Sequence, residues 1–498
     1  MPAILEDQLS KPGPNPSLYA ISSPSDMLRK RRLSLPELWL KDQHLKHAFS
    51  RIQELQQSEL PSMVGDGPFS LLSDECLSLI LSKLPISEQI STSLVCKRWY
   101  SVHGRVVDSI SLLHRDFLYS GRLTSRFPNL TKINLVQACF RSSGCSGVLL
   151  SHKLVSVHVD PDFVNDCLIG EEEVLGSDLI DEGLKMLASG CPNLRKLVLA
   201  NPSEKGLGFV AEQCLTLQEL EIHCCKDMSL RSISCFQNLQ ILKLIGSIDG
   251  LYDSSVTDIG LTILAHGCTR LVKLELSGCE GSYDGIKAIG QCCEMLQELT
   301  LRAHKMEGGW LSALPYCSNL KTLKLLSCEN IDPMPGPDEH LCSCLVLEEL
   351  YLEQCQMQDK SSVKALFLVC ESVREISFKD CWGLDDDTFN YVTICRKVKS
   401  LSLEGCSLVT TEGLDSVLLS WKELQTLRVV SCKSIKDADI SPRLAALFSV
   451  LKGLKWRPGC RSLVASTLTG SGVVKKGGRF LRRVYDNNCG QEKMTALI

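Results

Sequence analysis

The most regular feature of the chain is an apolar pattern, Leu-x-x-Leu-x-Leu with occasional Val or Ile, that recurs between residues 130 and 430. Nine of the eleven gaps between successive copies are 22 to 27 residues long, and two longer gaps indicate insertions. The last two apolar residues of a copy are two positions apart, as on one face of a strand, and helical spacing follows in stretches such as residues 256–268. Since one such unit cannot bury its own apolar residues, the pattern predicts a stacked α/β solenoid with a parallel inner sheet and outer helices.

The period and the pattern resemble those of leucine-rich repeats, which recur every roughly 20–29 residues. In such an array, alternate strand residues point away from the core and form a concave face that can bind a protein. The predicted face is mixed in sign and leans acidic, which favours a ligand with some basic residues, and Tyr351 is its best single anchor because aromatic residues are enriched at interface hot spots. The alternative is an ordinary solvated face. The candidate substrate-binding residues are Glu221, Glu275, Arg302, Tyr351, Lys379 and Arg428.

Cysteines recur at fixed positions of the repeats, and the chain has 26 of them. Neighbouring pairs such as Cys224-Cys225 invite a metal-binding interpretation. They lack the C-x₂-C spacing with matched partners that zinc sites use, so we predict buried, reduced thiols that act as small apolar side chains, with no metal and no cofactor. The arrangement resembles the cysteine-containing subclass of leucine-rich repeats.

Residues 69–103, ahead of the repeats, have the pattern of short amphipathic helices. Ser73 can cap a first helix that Pro85 stops, and Ser87 can cap a second. A segment of about 40 residues is too small for a secure core of its own, so it should need a partner surface. The alternative is that its apolar residues form an internal core that caps the solenoid.

This segment resembles the F-box, with Asp74-Glu75, the apolar spacing of the first helix and the run Val95-Cys96-Lys97-Arg98-Trp99 as the matching features. The resemblance implies a Skp-type adaptor as the direct partner, with cullin and RING subunits bound indirectly, in an SCF-type ubiquitin ligase. The implied role is that of a non-catalytic, plant-type F-box/leucine-rich-repeat substrate receptor. The residues expected to contact the adaptor are Leu72, Leu77, Ile80, Leu81, Leu84, Pro85, Val95, Cys96 and Trp99.

Two other functions fit the same architecture. The protein could act outside a ligase, as a scaffold or a nuclear regulator. It could also sense a small molecule, as plant hormone receptors of the F-box/leucine-rich-repeat type do, although no dense basic cluster lines the predicted strands. An enzyme is not expected, since the sequence lacks G-x-x-x-x-G-K-[ST], G-x-S-x-G and H-E-x-x-H.

The pattern divides the chain of 498 residues into four regions. We predict an N-terminal region (1–66) that is disordered and then forms one amphipathic helix, an F-box (67–112), about twelve repeats (113–435), and a cap with a basic tail (436–498). Leu444, Leu447, Phe448 and Leu451 should form a closing helix. Four basic residues at 29–32 are consistent with nuclear import, so we expect the protein in the nucleus, the cytoplasm or both.

Composition supports a folded chain and removes several function classes. Apolar residues make up 44% and charged residues 22%, and the net charge of −4 gives no overall attraction to nucleic acid, which we do not expect to be bound. No apolar run reaches the length of about 20 residues that a membrane span requires. An N-terminus without an apolar signal core predicts a reducing compartment.

Overall fold

The fold is a single long sheet flanked by helices, seen in a computed structural model that describes residues 72–85, 88, 91–112, 116–139, 148–150, 174–246 and 256–459. Within these residues the sheet has 14 strands, of which β3 runs antiparallel to β1 and the others run parallel. The predicted α/β solenoid is confirmed. The strands are β1 (Ser109–Leu112), β2 (Lys132–Asn134), β3 (Val148–Leu150), β4 (Lys196–Ala200), β5 (Glu219–His223), β6 (Ile241–Ile245), β7 (Lys273–Ser277), β8 (Glu298–Arg302), β9 (Thr322–Leu326), β10 (Glu349–Glu353), β11 (Glu375–Lys379), β12 (Ser400–Glu404), β13 (Thr426–Val430) and β14 (Gly453–Arg457).

Helices connect successive strands, as a parallel sheet requires. Several repeats replace the α-helix with a short 3₁₀ helix, for example over Asp227–Cys235 and Trp310–Tyr316. The α-helices are α1 (Asp74–Lys83), α2 (Lys97–Val106), α3 (Asp116–Tyr119), α4 (Arg122–Arg126), α5 (Ser177–Gly190), α6 (Glu204–Gln213), α7 (Asp258–Gly267), α8 (Tyr283–Cys292), α9 (Lys360–Val369), α10 (Asp386–Asn390), α11 (Thr411–Ser420) and α12 (Pro442–Val450).

Alternation along each strand separates the core from an open face. In β10, Leu350 and Leu352 are buried, whereas Glu349, Tyr351 and Glu353 lie on the other side of the sheet. Neighbouring strands are in register, so the buried leucines stack into one core that runs from Val107 to Trp456. Burying each such side chain stabilises the fold by about 2 kcal/mol. We call the first, third and fifth positions of strands β4–β14 the open face.

Aspartates interlock the helical layer from one repeat to the next. Asp258, at the start of α7, accepts hydrogen bonds from the backbone N–H of Ser282 at 2.8 Å, from its hydroxyl at 2.6 Å and from the N–H of Gly285 at 2.9 Å. It thus satisfies N–H groups that the first turn of α8 leaves without an intrahelical partner. A Cβ at Gly285 would clash with this carboxylate, which explains the glycine. Similar bonds recur at other junctions: Asp181 accepts one from the backbone N–H of Ser203, Asp227 from the hydroxyl of Thr257, and Asp386 from the hydroxyl of Thr410.

Most cysteines among the described residues are buried, as predicted, and none forms a disulfide. Those just after a strand donate from Sγ to a carbonyl of the preceding repeat, as Cys355 does to Leu325 at 3.2 Å and Cys381 does to Leu352 at 3.4 Å. Burial raises the pKa of Cys279 to about 12, so this thiol stays protonated. No three His, Cys, Asp or Glu side chains of the described chain are grouped as a metal site would require.

The array begins earlier and ends later than the sequence analysis placed it. Strand β1 lies inside the segment assigned to 67–112, and β14 lies beyond residue 435. Strand β1 was missed because Val-x-x-Ile-x-Leu at 107–112 was assigned to the segment of short helices, and β14 was missed because Leu-x-x-Leu-x-Trp at 451–456 ends in tryptophan. The closing helix is present as α12, and its Phe448 packs on Trp456 with ring centroids 4.8 Å apart.

Some predicted features lie outside the described residues: the N-terminal region, the basic tail after residue 459 and the weak repeat at 152–159. In the part of the chain that is described, no helix combines the length and apolar character needed to cross a membrane.

Candidate functional site

Helices α1 and α2 form a small unit with a core of its own, which we call the helical segment. Leu77, Leu81 and Val102 are fully buried in it, with Leu84, Trp99 and Val106 partly buried against them. Leu77 and Leu81 were expected to contact an adaptor. They are buried on the side of α1 that faces α2, in a core separate from that of the solenoid, so neither an adaptor contact nor the alternative of a core shared with the solenoid describes them.

Polar contacts hold the two helices together. Ser73 caps α1 by accepting a hydrogen bond from the N–H of Cys76 at 3.3 Å, and Cys96 is the N-cap residue of α2. The Arg98 guanidinium donates to Asp74 at 2.9 Å and to the carbonyl of Leu72. These bonds pin the start of α1 to α2, so the surface of the segment has a defined shape.

Other large apolar side chains of the helical segment are exposed. Leu79 (64% exposed), Ile80 (44%), Val95 (61%) and Tyr100 (50%) form what we call the exposed apolar patch. Of the residues predicted to meet an adaptor, Ile80, Val95, Pro85 and Cys96 are exposed, whereas Leu72 is partly buried. The sequence analysis missed Leu79 and Tyr100. The signal was available for Leu79, because this apolar residue lies opposite the Leu77–Leu81 stripe on a helix.

The helical segment is joined to the first solenoid helices by a close contact at Gly104. A Cβ there would clash with the carbonyl oxygen of Arg126 in α4, so only glycine permits this approach. The Arg126 guanidinium lies over the Tyr100 ring at 3.4 Å from its centroid and donates to the Tyr100 carbonyl. Burial, followed by the nearby Arg126 charge, lowers the pKa of His103 to about 4, so His103 is neutral here at pH 7. Asn129 adds a bond to the carbonyl of Arg105 at 2.8 Å.

The predicted substrate-binding residues all lie on the open face, as their strand positions require. Glu221, Glu275, Tyr351 and Arg428 occupy the middle of their strands, whereas Arg302 and Lys379 end theirs. Four of these charged residues pair across strands with a neighbour. Glu275 lies 3.0 Å from Lys243 and 3.7 Å from Arg302, Arg428 lies 2.6 Å from Glu404, and Lys379 binds Glu353.

Glu221 departs from the expectation of an outward-facing residue. Both it and His223 are buried, and the Glu221 Oε1 lies 3.0 Å from the His223 Nε2. A buried carboxylate requires a hydrogen-bonding partner, and the His223 ring nitrogen is such a partner for Glu221. We therefore remove Glu221 from the accessible surface.

Tyr351 is half-buried at the centre of β10. The Lys324 ammonium lies 5.7 Å from the centroid of its ring. Burial, together with the nearby carboxylates of Glu349 and Glu375, raises the pKa of the phenol, which is therefore protonated at pH 7. The ring offers an apolar surface with a hydrogen-bonding end, as interface anchors typically do.

Comparison with known proteins finds similarities for both the helical segment and the repeats. Residues 69–102 match the F-box domain model. F-box/LRR-repeat protein 12 of Bos taurus is 24% identical over 326 residues, which covers 58% of this chain and 88% of that protein.

Two further similarities are partial. The protein EEED8.10 of Caenorhabditis elegans, provisionally named an RNA-binding protein, is 25% identical over 161 residues, which covers 31% of this chain. The chain spans only 21% of that relative's length. A solved chain in a TLR13–ssRNA13 complex aligns with 53% of this chain, at 17% identity and a TM-score of 0.35.

Proposed function

We propose that this chain, which carries an F-box domain at residues 69–102 and is homologous to an F-box/LRR-repeat protein, is the substrate-recognition subunit of an SCF-type ubiquitin ligase. F-box domains typically bind Skp-type adaptors, and F-box/LRR proteins are generally non-catalytic. The observation that carries the proposal is the exposed apolar patch on a domain whose described residues include three fully buried apolar side chains. We assign the patch to the adaptor and the open face of the solenoid to a protein substrate.

The contact at Gly104 supports a role in positioning. A substrate held on the open face must reach a ubiquitin thioester carried by other subunits, and the gain comes from raising its effective concentration there. The contacts of Gly104 and Arg126 hold α2 against α4, which favours a fixed position of the F-box relative to the first repeats. In this proposal the chain itself makes or breaks no covalent bond.

Co-purification of the full-length chain with a Skp-type adaptor tests the proposal. A variant with Leu79→Ala, Ile80→Ala and Val95→Ala removes most of the patch without touching the internal core. We expect adaptor affinity to fall at least tenfold, because apolar anchors at an interface typically contribute about 2 kcal/mol or more each. Leu215→Ala with Leu345→Ala, two residues exposed on the solenoid, is the matched control and should bind the adaptor normally.

The composition of the purified complex separates the proposal from its alternatives. Cullin and RING subunits recovered together with the adaptor support a ligase receptor. An adaptor recovered alone indicates a scaffold or regulator outside a ligase, and unchanged binding by the triple variant contradicts the assignment of the patch. Location in the nucleus or the cytoplasm remains part of this proposal, and microscopy of the tagged chain tests it.

A further inference from the structure

Over the first repeats, the charges of the open face neutralise each other across strands. Lys196 pairs with Glu219 at 2.9 Å, Lys243 with Glu275 at 3.0 Å, and Lys273 with Glu298 at 2.9 Å. Ladders of this kind stabilise a sheet by modest amounts, since opposite charges on neighbouring strands attract. A face whose charges are already paired offers a partner little electrostatic direction.

Strands β10 and β11 break this rule. Glu349 and Glu375 are directly opposite each other in the register, and neither has a cation within salt-bridge distance among the described residues. Like charges that face each other across strands are destabilising. Glu349 has neutral partners alone in the described chain: it accepts a hydroxyl hydrogen bond from Thr322 at 3.0 Å, and the Tyr351 phenol also bonds its carboxylate. The two carboxylates therefore leave a place that a cationic side chain would stabilise.

The Tyr351 ring stands two residues along the strand from this pair of carboxylates. Both carboxylates are close enough to raise the pKa of its phenol. An aromatic ring beside two carboxylates suits a Lys or Arg side chain, whose aliphatic part can pack on the ring while its charged end reaches the acids.

The opposite imbalance is found at the end of the sheet. Lys455 and Arg457 lie on the open face of β14, and within the described chain neither pairs with a carboxylate. Between Tyr351 and Lys455 the middle positions of the strands are Ser377, Ser402 and Arg428. The two serines have short side chains, so the surface between the acidic end and the basic end is low.

The spacing of these two ends sets the size of a ligand. Three strand spacings separate β11 from β14 and four separate β10 from β14, which amounts to roughly 14 to 19 Å at about 4.8 Å each. Lys455 also lies two positions further along its strand than Glu375 does. An extended polypeptide advances about 3.3 to 3.6 Å per residue, so this distance corresponds to about four to six residues.

We propose that the open face of β10–β14 binds an extended protein segment that carries a basic side chain and an acidic side chain about four to six positions apart. The basic side chain lies at Glu349, Glu375 and Tyr351, and the acidic side chain lies at Lys455 and Arg457. This inference rests on the proposed function, because it names the class of substrate segment that the receptor takes. Charge complementarity at both ends fixes the position and the direction of the segment on the sheet.

A peptide array tests the proposal with the full-length chain bound to its adaptor. Each labelled decapeptide has a Ser/Thr/Val background with one Arg and one Glu, placed in both orders at every separation from one to eight positions. We expect the strongest binding at separations of about four to six and in one order only. Equal binding at all separations, or none at any, overturns the proposal.

Charge reversal locates the site. The double variant Glu349→Lys with Glu375→Lys should weaken binding of the best peptide at least tenfold and should improve binding of the same peptide with its Arg replaced by Glu. Glu212→Lys with Glu412→Lys, on the exposed surfaces of α6 and α11, makes the same change in net charge away from the open face. If this control weakens binding equally, the effect is one of net charge and the proposal is wrong.

Two further measurements keep the outcomes distinct. Trp382, an exposed aromatic residue in the turn after β11, offers a competing anchor at the rim. Loss of binding in Trp382→Ala together with normal binding in the Glu349/Glu375 variant would move the segment off the open face and overturn the proposal. Adaptor co-purification and melting temperature are recorded for every variant. Selective peptide binding by a chain that ignores all Skp-type adaptors would refute the ligase role while it supports this surface.

Discussion

The F-box and the solenoid bury their apolar side chains to different degrees. The solenoid has one continuous core from Val107 to Trp456, because every repeat covers the next. Among its described residues, the F-box has three fully buried apolar side chains and four large exposed ones. The F-box therefore has a small core for the apolar surface that it exposes, which is the property that our proposal assigns to adaptor binding.

The largest effect should come from a cavity in the solenoid. Leu325 in β9 is fully buried, and Leu325→Ala should cost about 2 to 5 kcal/mol in unfolding free energy. Chemical denaturation followed by circular dichroism measures the loss. Leu345→Ala, at an exposed position near β10, is the control and should change stability by less than about 0.5 kcal/mol.

A cavity in the F-box should act locally. Leu81→Ala should destabilise α1 and α2 by about 2 to 3 kcal/mol and abolish adaptor binding, while the repeats stay folded. Hydrogen exchange would show lost protection over residues 74–106 and unchanged protection in β4–β14. If protection fell throughout the sheet, the idea that the two regions differ in cooperativity would be wrong.

Removing one aspartate of the helical layer should have an intermediate effect. Asp258→Ala leaves three donors of α8 without their acceptor and should cost about 1 to 3 kcal/mol. Thermal melts of this variant and of Asp284→Ala, an exposed residue of the same helix layer, give the comparison. Equal melting temperatures would show that the interlock contributes nothing.

Acidification should weaken both regions through buried neutral histidines. Burial lowers the pKa of His304 to about 4 in the solenoid, although nearby Asp332 opposes this shift, and His103 has a pKa of about 4 in the F-box. Unfolding would restore a value near 6.5, so the unfolded chain binds protons first as the pH falls from 6.5 towards 4. Stability should therefore be retained above pH 6.5 and decline below it.

The decline through His304 should be about 1 kcal/mol between pH 7 and pH 5.5. Denaturation at a series of pH values measures it, and His304→Gln should flatten the global curve. His103→Gln should instead reduce the acid sensitivity of residues 74–106 in hydrogen exchange. A steeper pH dependence in either variant would contradict the assignment.

Much of the fold was predictable because repetition gives a sequence pattern many chances to be seen. The helix predicted within 256–268 begins at Thr257, its capping residue, and Thr410 caps α11 as expected. Many of the predicted strands are followed by a cysteine, and the burial of that cysteine follows from its place in the turn. Local spacing decides these features, so the sequence alone contains them.

What could not be predicted depends on contacts between elements. Helix α1 is apolar on two sides, and only the position of α2 decides that Leu81 turns inward and Leu79 outward. The burial of Glu221 with His223 likewise depends on what surrounds the strand rather than on its alternation. The last strand was missed because Trp456 stands where leucine was expected.

The aspartate interlock makes helices α6, α7, α8 and α11 depend on the repeat before them. Asp258 belongs to α7, yet the groups that it satisfies start α8, so damage to one unit exposes polar groups in the next. Unfolding that begins at one end should therefore promote unfolding of the following repeats. A protease that cuts one repeat should also destabilise the next one.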